Sequence, residues 1–446
     1  MPFSLAFISQ GAHRRPRRPI RHHQAVRVLT ICGHLTRIVL RAAVALSGAG
    51  LRGRLADRYA WQRLAGDLLA DAAERLGPTY IKFGQILATR VDVVPPAVAA
   101  RLGRLFDKVT PPSIRPPITG SVGAALDGGV GGLRRVAAGS VAVVYRGRLR
   151  TGEQVAVKVI RPGIDAVIDT DLALLRVAAR GVSTLPRFRR APLVELVDQL
   201  GAAIRRQLDL CAEADALRRL RRNLAHLDGV RVPSVYRELS DRTVLVTEYL
   251  SDIRLSLPAA PPQTALVTAM RAAFQMVFVD GFVHCDLHPG NLHLAAHRVT
   301  VLDAGFVHEL TPIARRAFAE FFQAMASGAG DRCAEILLAT ADRVEPPADL
   351  VGFRCDIAAL VVAAAGRPAG EFNLADFAYR MFAAQRTRGL YADVQFVYPI
   401  LALLVLEGRV RQHAPDVDFQ RVAMPYVLRA LADTVSLPGW RPSPTR

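Results

Sequence analysis

Residues 284–291 read His-Cys-Asp-Leu-His-Pro-Gly-Asn, and this stretch decides how the whole chain is interpreted. It places the carboxylate of Asp286 five residues before the amide of Asn291, on a turn that the Pro-Gly pair indicates. A carboxylate can accept a hydroxyl proton, and an amide carbonyl is a hard oxygen ligand that suits Mg²⁺. The pattern favours a reactive loop braced by His284, and the alternative is a plain polar turn.

Lysine is rare in this chain, so each position that uses it is informative. Three of the 58 basic residues are lysines, at positions 82, 108 and 158. A lysine is a compact point charge and an arginine is a planar fork, so the two do not exchange at a tight phosphate site. Lys158 lies in the strand-like run Val-Ala-Val-Lys-Val, from which it could point into a covered cleft. The alternative is an edge-strand lysine whose ammonium group reaches solvent.

A strand lysine inside a cleft needs an anionic partner to hold it in place. The helical stretch 207–214 offers Glu213, with Asp209 one turn earlier as the competing candidate. Downstream, Val301 to Gly305 reads Val-Leu-Asp-Ala-Gly and places the carboxylate of Asp303 at the end of a predicted strand. Alone, Asp before Gly more often marks a turn, but the loop upstream favours a metal-binding carboxylate.

A run of small residues precedes the strand that carries Lys158, and small side chains would let the backbone N–H groups of this run approach phosphate. This phosphate-loop candidate lies about twenty residues before Lys158 and has a single glycine. Its members are Ala137, Ala138, Gly139, Ser140, Val141 and Ala142. Glu248 and Leu250, at the end of the predicted strand 243–249, complete the candidates for nucleotide contact.

The order of these segments is that of the protein kinases: strand lysine, helix glutamate, catalytic loop and metal-binding Asp. Apolar β-type runs at 141–144, 155–160 and 243–249 come early in the chain. Residues 165–228 and most of the chain after Leu266 have a helical pattern, with a loop region predicted at 281–306. Strands first and helices afterwards predict an α+β, two-lobed, protein-kinase-like fold.

One further segment gives the chain a more specific resemblance. Leu76 to Pro96 contains Lys82, Gly84 and Gln85, a Lys-x-Gly-Gln (KxGQ) signature that ordinary protein kinases lack. With the segments above, it resembles the UbiB/AarF-domain family of atypical kinase-like proteins, also called activity-of-bc1-complex kinases. Further matches to the family pattern are Arg90, Asp92, Pro95 and the residues at 406–408 and 415–416. The chain departs from that pattern at Ala304, which replaces the usual Phe, and also at Val143, Gln207 and Ala216.

The resemblance implies a fold, cofactors and a substrate class. It implies an N-terminal helical extension over the cleft, in which the KxGQ residues fill the space of a protein substrate. It also implies ATP and Mg²⁺ as cofactors, catalytic roles for Lys158, Glu213 and Asp286, and metal binding by Asn291 and Asp303. The family is linked to isoprenoid quinone biosynthesis and lipid-associated ATPase activity, so lipid or quinone-pathway partners are expected.

Six segments are predicted along the chain. They are a basic tail with an amphipathic helix at 1–56, the KxGQ helical extension at 57–110, a Pro- and Gly-rich linker at 111–132, an N-terminal kinase-like lobe at 133–250, a helical C-terminal lobe at 251–435, and a tail at 436–446.

The net charge is +19, and the first 56 residues hold ten arginines and no acidic residue. Such an arm suits anionic lipid, nucleic acid or a protein partner. Residues 25–50 place basic side chains on one face of an apolar helix, which predicts peripheral membrane contact; the alternative is a surface helix packed on its own domain. No recognised motif or aromatic interleaving supports nucleic-acid binding.

The remaining composition predicts the compartment. The five cysteines are scattered without metal-ligand spacing, which is typical of reduced thiols in a cytosolic protein. The first residues do not follow the order of a signal peptide, and no uncharged apolar run reaches the roughly 18 residues of a membrane span. We therefore expect a cytoplasmic protein, with peripheral contact at the inner face of the cell membrane.

The leading hypothesis is an atypical kinase or ATPase, with protein kinase activity disfavoured because the KxGQ segment obstructs a peptide. A nucleotide-binding pseudokinase with a regulatory or scaffold role is the alternative, because Ala304 replaces the usual Phe.

Overall fold

The computed structural model describes residues 58–89, 96–106, 129–139, 141–184, 193–253, 261–288, 290–295, 298–344, 348–365 and 371–432, with single positions 31, 33, 36, 94 and 346. Most of the predicted basic tail, its helix, the linker and the C-terminal tail lie outside these residues.

Three helices and a short 3-10 turn form the N-terminal extension. They are α1 (Arg58–Leu76), α2 (Pro78–Thr89), α3 (Pro96–Leu102) and the 3-10 turn Gly103–Phe106. Gly77 separates the first two helices with φ +97°, a left-handed conformation that glycine adopts without steric cost, and Pro78 then begins α2. The KxGQ residues therefore lie on a helix that starts at a defined corner.

The extension has its own small apolar core. Residues from α1, α2, α3 and the 3-10 turn form one buried cluster, and Ile31 belongs to it with 6% of its surface exposed. Arg104 adds an ionic clamp, because it contacts Asp67, Asp71 and Glu74 on successive turns of α1. At least one apolar residue of the predicted membrane helix thus packs on protein.

A four-stranded antiparallel sheet with order β1–β2–β3–β5 forms the first lobe. Its strands are β1 (Val130–Ala138), β2 (Ala142–Leu149), β3 (Gln154–Ile160) and β5 (Val244–Glu248), with β4 (Val230–Arg231) lying elsewhere. Val155, Val157 and Val159 alternate onto a buried face, as period-2 burial requires. The first strand was not predicted: Val130 to Gly132 lie in the sheet rather than in the linker.

Three helices follow the third strand: α4 (Ile164–Ser183), α5 (Leu193–Arg206) and α6 (Leu210–Asn223). Asp209 begins α6 by accepting hydrogen bonds from the N–H groups of Cys211 and Ala212, at 3.1 and 3.3 Å. Phe83 of α2 packs against the apolar cluster formed by α4 and α5. The extension is therefore anchored on the helices that flank the first lobe.

The segment predicted as a loop at 281–306 contains strands, which corrects that prediction. Strand β6 (Phe282–His284) pairs with β9 (Val307–Glu309), and β7 (Leu292–Ala295) pairs with β8 (Arg298–Val301). Each strand has only three or four residues, so no alternating pattern can build up. The pairings place the loop after β6 beside the turn after β8.

Helices make up the rest of the second lobe, around one large apolar core. They are α7 (Gln263–Phe274), α8 (Pro312–Ala326), α9 (Gly330–Ala339), α10 (Leu350–Ala364), α11 (Leu374–Thr387), α12 (Val394–His413) and α13 (Phe419–Ala432); β10 (Ala341–Val344) and β11 (Leu390–Ala392) form a separate pair. Phe274 stacks edge-on against Phe419, with ring centroids 4.9 Å apart. Of the described helices, none has the length and apolar character needed to cross a membrane.

Gly330→Ala is expected to lower the free energy of unfolding, because a Cβ there would lie 2.5 Å from the Cα of Ala358 and 2.9 Å from its carbonyl oxygen. Backbone atoms cannot rotate away, so α9 and α10 would separate at a cost of about 1–3 kcal/mol, measurable by urea unfolding. Gly181→Ala in α4 is the matched control, since nothing lies within 4 Å of its Cβ. Equal stability of the two variants would contradict the close helix contact.

Candidate active site

Lys158 lies at the centre of the site. It pairs with Val144 and Leu245 in the neighbouring strands, and its side chain leaves the face opposite the buried valines. Its Nζ donates to Glu213 Oε1 at 2.6 Å and Oε2 at 2.8 Å, and also contacts Asp303 Oδ2. One ammonium group thus joins a strand, a helix and the turn after β8.

Of the two acidic candidates on α6, Glu213 reaches the lysine and Asp209 does not. Asp209 is occupied at the start of the helix, where it also lies 3.4 Å from Arg242 Nε. Glu213 follows one turn later, points inward and has 3% of its side chain exposed. The competing interpretation of Asp209 as the partner is therefore wrong in this structure.

The charges of the triad shift one another. Burial favours the neutral lysine, but the carboxylates of Asp303 and Glu213 outweigh it and raise the pKa of Lys158. Burial, with the Asp303 charge, raises the pKa of Glu213 to about 7. Burial opposes ionisation of Asp303, yet Lys158 and the Gly305 N–H hold the pKa of Asp303 below its usual range. A charged lysine beside an ionised Asp303 is the stable arrangement.

His284 couples the reactive loop to the turn that carries Asp303. Its Nδ1 accepts the backbone N–H of Asp286 at 3.1 Å, which puts the ring proton on Nε2. Nε2 then donates to the carbonyl oxygen of Asp303 at 2.6 Å. The side chain is fully buried, so it braces the loop as the sequence predicted.

Asn291 is oriented by Asp286. Its Nδ2 donates to the backbone oxygen of Asp286 at 3.0 Å and to Oδ2 at 3.2 Å. With the nitrogen fixed in this way, the Asn291 Oδ1 is left as an acceptor, as a metal ligand would be. The Gly305 N–H likewise donates to Asp303 Oδ1 at 2.8 Å and fixes that carboxylate.

The donor set fits Mg²⁺ better than a softer metal. Asn291 and Asp303 offer one amide and one carboxylate, and Mg²⁺ is usually held by few protein oxygens together with phosphates and water. Within the described residues, no group of three or more His, Cys, Asp or Glu side chains could hold a metal ion. The residues therefore suit a metal that arrives with a phosphate ligand.

Two neighbours on the loop have different roles. Cys285 has 1% of its surface exposed, and burial raises the pKa of its thiol well above the usual value, so it packs as a small apolar residue. His288 accepts the Gly290 N–H at 2.9 Å on Nδ1, and its Nε2 lies 3.7 Å from Asp286 Oδ2. Burial lowers the pKa of His288 and keeps it neutral.

The phosphate-loop candidate is only partly a loop. Ala137 and Ala138 lie in β1, paired with Val144 and Val143, which corrects their assignment to a loop; their contact with a nucleotide stays a prediction. The turn itself is closed by the Gly139 N–H, which donates to the Ala142 carbonyl at 2.8 Å. Val141 and Ala142 are buried, and Ser140 lies outside the described residues.

Arg161 is a residue that the sequence did not reveal. Its Nε and Nη2 donate to the Gly139 carbonyl at 3.2 and 2.9 Å, so it holds the turn between β1 and β2. It is one among many arginines, and only its position directly after β3 could have pointed to it.

The side chains of Glu248 and Leu250 are engaged within the protein, and their contact with a nucleotide stays a prediction. Glu248 contacts Arg231 through Oε1 and accepts the Ser234 N–H through Oε2 at 3.2 Å. Leu250 has 7% of its surface exposed. Any contact of Glu248 with a nucleotide would therefore involve its backbone.

The KxGQ helix lies close enough to act on the site. Lys158 holds the pKa of Asp303 down against burial, and burial lowers the pKa of His288; the positive charge of Lys82 adds to both shifts. Gly84 lets α2 approach its neighbours, because a Cβ there would lie 2.5 Å from Leu105 Cδ1. The side chain of Gln85, with Arg90, Asp92 and Pro95, lies outside the described part of the chain.

Comparisons with known proteins found a matching family model, a curated relative and a solved structure. Residues 134–337 match the model of the ABC1 atypical kinase-like domain. The "Probable protein kinase UbiB" of Sodalis glossinidius (strain morsitans) is 31% identical over 395 residues, which span 85% of this chain and 72% of that protein. A solved structure titled as the Rv3197–erythromycin complex from Mycobacterium tuberculosis is 18% identical, covers 69% of this chain and 83% of its own, and has a TM-score of 0.49.

The family model and the identity to the relative confirm the predicted family, and the α+β kinase-like fold is confirmed with it. The chain belongs to the UbiB/ABC1 family of atypical kinase-like proteins.

Proposed function

We propose that this protein binds Mg-ATP and catalyses phosphoryl chemistry, either ATP hydrolysis or transfer to a non-protein acceptor. One observation carries the proposal: Lys158 is held between Glu213 and Asp303, and His284 links the turn of Asp303 to the loop on which Asp286 orients Asn291. Phosphoryl transfer needs positioning and charge stabilisation far more than covalent chemistry from the protein, and these groups can provide both.

Each residue has a distinct task in this proposal. Lys158 would bind phosphate oxygens, and Glu213 would hold its ammonium group in place. Asp286 would accept a hydroxyl proton or orient the attacking oxygen. Asn291 and Asp303 would hold Mg²⁺, which neutralises charge on the phosphates when bound.

The acceptor is proposed to be a small or lipid molecule, in isoprenoid quinone or lipid metabolism, as the family resemblance implies. The relative from Sodalis is named a probable protein kinase. For this chain, the KxGQ resemblance argues against a peptide acceptor, because it implies that these residues fill the space of a protein substrate; Phe83 of this segment packs against the helices α4 and α5.

A binding-only pseudokinase is the second candidate. The observation in its favour is Ala304, which is 1% exposed and far smaller than the usual Phe, so the turn bearing Asp303 has a small apolar anchor.

Thermal unfolding and phosphate release, measured with purified full-length protein, separate these functions. Turnover that requires Mg²⁺ and rises with phosphatidylglycerol liposomes would support the enzyme. A thermal shift by Mg-ATP without turnover would favour the pseudokinase. The absence of both a thermal shift and turnover would contradict nucleotide binding. Loss of isoprenoid quinones in a deletion strain would support the proposed pathway.

The segment 25–50 is proposed to give peripheral contact with the inner face of the cell membrane. Its basic residues suit anionic lipid, although Ile31 packs against the extension. Liposome flotation that is unchanged by deletion of residues 1–50 would contradict this contact.

Gly305→Ala is expected to weaken Mg-ATP use while leaving stability within about 1 kcal/mol. A Cβ at this position would lie 3.2 Å from Asp303 Oδ1 and 3.4 Å from Glu213 Oε2, so the Asp303 carboxylate must shift by a few tenths of an ångström while Glu213 comes into van der Waals contact. Because small misplacements are costly in a catalytic site, we expect kcat/KM for ATP to fall about tenfold. Gly408→Ala, whose Cβ meets nothing within 4 Å, should leave kcat/KM unchanged.

A further inference from the structure

A groove lined by arginines lies at the outer end of the first-lobe sheet, away from Lys158. Its volume is about 510 Å³, which is within the range of small-molecule sites. Glycine backbone at 129, 131 and 132 lines part of it, and four arginines contribute side chains: Arg134, Arg146, Arg148 and Arg150. A Cβ at Gly131 or Gly132 would meet nothing within 4 Å, so the space above this backbone is open.

Strand register puts the groove on the same sheet face as Lys158. Along β3, Lys158, Ala156 and Gln154 alternate onto one face, and they oppose Val144, Arg146 and Arg148 of β2. Four residues along a strand span about 13 Å. The groove therefore lies on the same sheet face as Lys158, about 13 Å from it along the strand.

The arrangement is unfavourable without an anion. Arg134 stands directly opposite Arg146 on the neighbouring strand, and like charges in that position destabilise a sheet. Among the described residues, Arg148 bonds the Gly152 carbonyl alone, at 3.3 Å, and Arg146 lies over the Tyr249 ring at 5.0 Å. No carboxylate of the described residues forms an ion pair with any of the four.

The backbone also shapes this end of the sheet. Gly132 has φ +66°, and the pairing of β1 with β2 shifts between Gly131 and Arg134. Such a bulge re-aims side chains relative to a regular ladder. Gly147 allows it, because a Cβ there would lie 2.6 Å from Val130 Cγ1.

We infer that this groove binds a phosphate-bearing anion, which its arginines grip through paired guanidinium N–H groups. Guanidinium forks match the geometry of phosphate oxygens and bind them by charge-assisted hydrogen bonds. The volume exceeds what a single phosphate needs, so the ligand class is a phosphate ester or diphosphate. The inference goes beyond the proposed function and stands whether or not ATP is hydrolysed at Lys158.

Two probes test the groove in full-length protein at low ionic strength. Inorganic pyrophosphate is titrated calorimetrically in the presence of EDTA, and flotation is measured with phosphatidylcholine vesicles with and without phosphatidylglycerol. The groove variant is Arg134→Gln/Arg148→Gln. Its control is Arg180→Gln/Arg222→Gln, which removes the same charge from exposed helix positions.

The groove variant should bind at least one probe about tenfold or more weakly, whereas the control should stay close to wild type. Loss of pyrophosphate binding would identify a soluble phosphate ligand, and loss of flotation alone would identify a lipid headgroup. Arg134→Lys/Arg148→Lys should restore only part of the affinity, because it keeps the charge and loses the fork. Equal losses in both Gln variants, or no binding of either probe by wild type, would overturn the inference.

Discussion

Asp303→Asn is expected to reduce Mg²⁺-dependent ATP turnover at least about hundredfold, because the substitution removes the anionic ligand aimed at the metal and phosphates. The fold should persist: the amide oxygen of Asn can still accept the Gly305 N–H, and Lys158 keeps Glu213 as its partner. The measurement is phosphate release at saturating ATP over a Mg²⁺ titration. A higher Mg²⁺ requirement is expected alongside the lower rate.

Asp342→Asn is the matched control, since it makes the same change at an exposed position in β10. Its turnover should equal that of the wild type. If Asp303→Asn also retained turnover within a few-fold, the assignment of Asp303 as metal ligand would be wrong. If the wild type itself showed no turnover, the same experiment would favour the pseudokinase hypothesis over the enzyme hypothesis.

The polar core of the site could be predicted because short local spacings encode it. Asp286 and Asn291 lie on one loop, and Asp303 ends the next strand pair, so their proximity follows from a few neighbouring residues. Lys158 and Glu213 are 55 residues apart, and only the order of the segments linked them before the contact was seen. To choose between Asp209 and Glu213, one must know at which residue the helix begins, and the sequence pattern does not define that residue closely enough.

The first strand could not be predicted from its residues. Val130 to Ala138 contains two glycines and two adjacent arginines, and its register shifts twice against β2, so no period-2 pattern survives. Ala137 and Ala138 were consequently assigned to a loop. The same irregularity hid the arginine groove, because only the pairing of Arg134 with Arg146 shows that these side chains share a face.

The strands at 282–309 were missed for a different reason. These strands are stabilised by their partners rather than by their own propensity: β6 pairs with β9, β7 pairs with β8, and β8 also pairs in parallel with β4, about seventy residues earlier in the chain. Four residues carry too little pattern to reveal such a pairing. The functional residues of this region were still found, because they lie on the turns between the strands.

Lys158→Met is expected to lower the free energy of unfolding by about 3–5 kcal/mol at pH 8, because it leaves two carboxylates without their cation in a buried site. Glu213 bears most of this cost, since 3% of its side chain is exposed. ATP binding should be lost as well, because the phosphates lose their ammonium partner. Urea unfolding at several pH values and nucleotide titration measure the two effects.

The destabilisation should depend on pH in a defined direction. The folded-state pKa of Glu213 is already raised to about 7 with the lysine present, and removing Lys158 raises it further. A carboxyl whose folded pKa exceeds its unfolded value holds an extra proton in the folded state, so its ionisation costs stability as pH rises from about 4.5 through 7. The loss caused by Lys158→Met should therefore be smaller at pH 5 than at pH 8.

The double variant Lys158→Met/Glu213→Gln isolates the cause. It removes the buried charge that the single substitution exposes, so it should recover much of the stability at pH 8 while ATP binding stays lost. A stability loss independent of pH, or a double variant less stable than Lys158→Met, would show that packing of the lysine stem rather than its charge holds this site together.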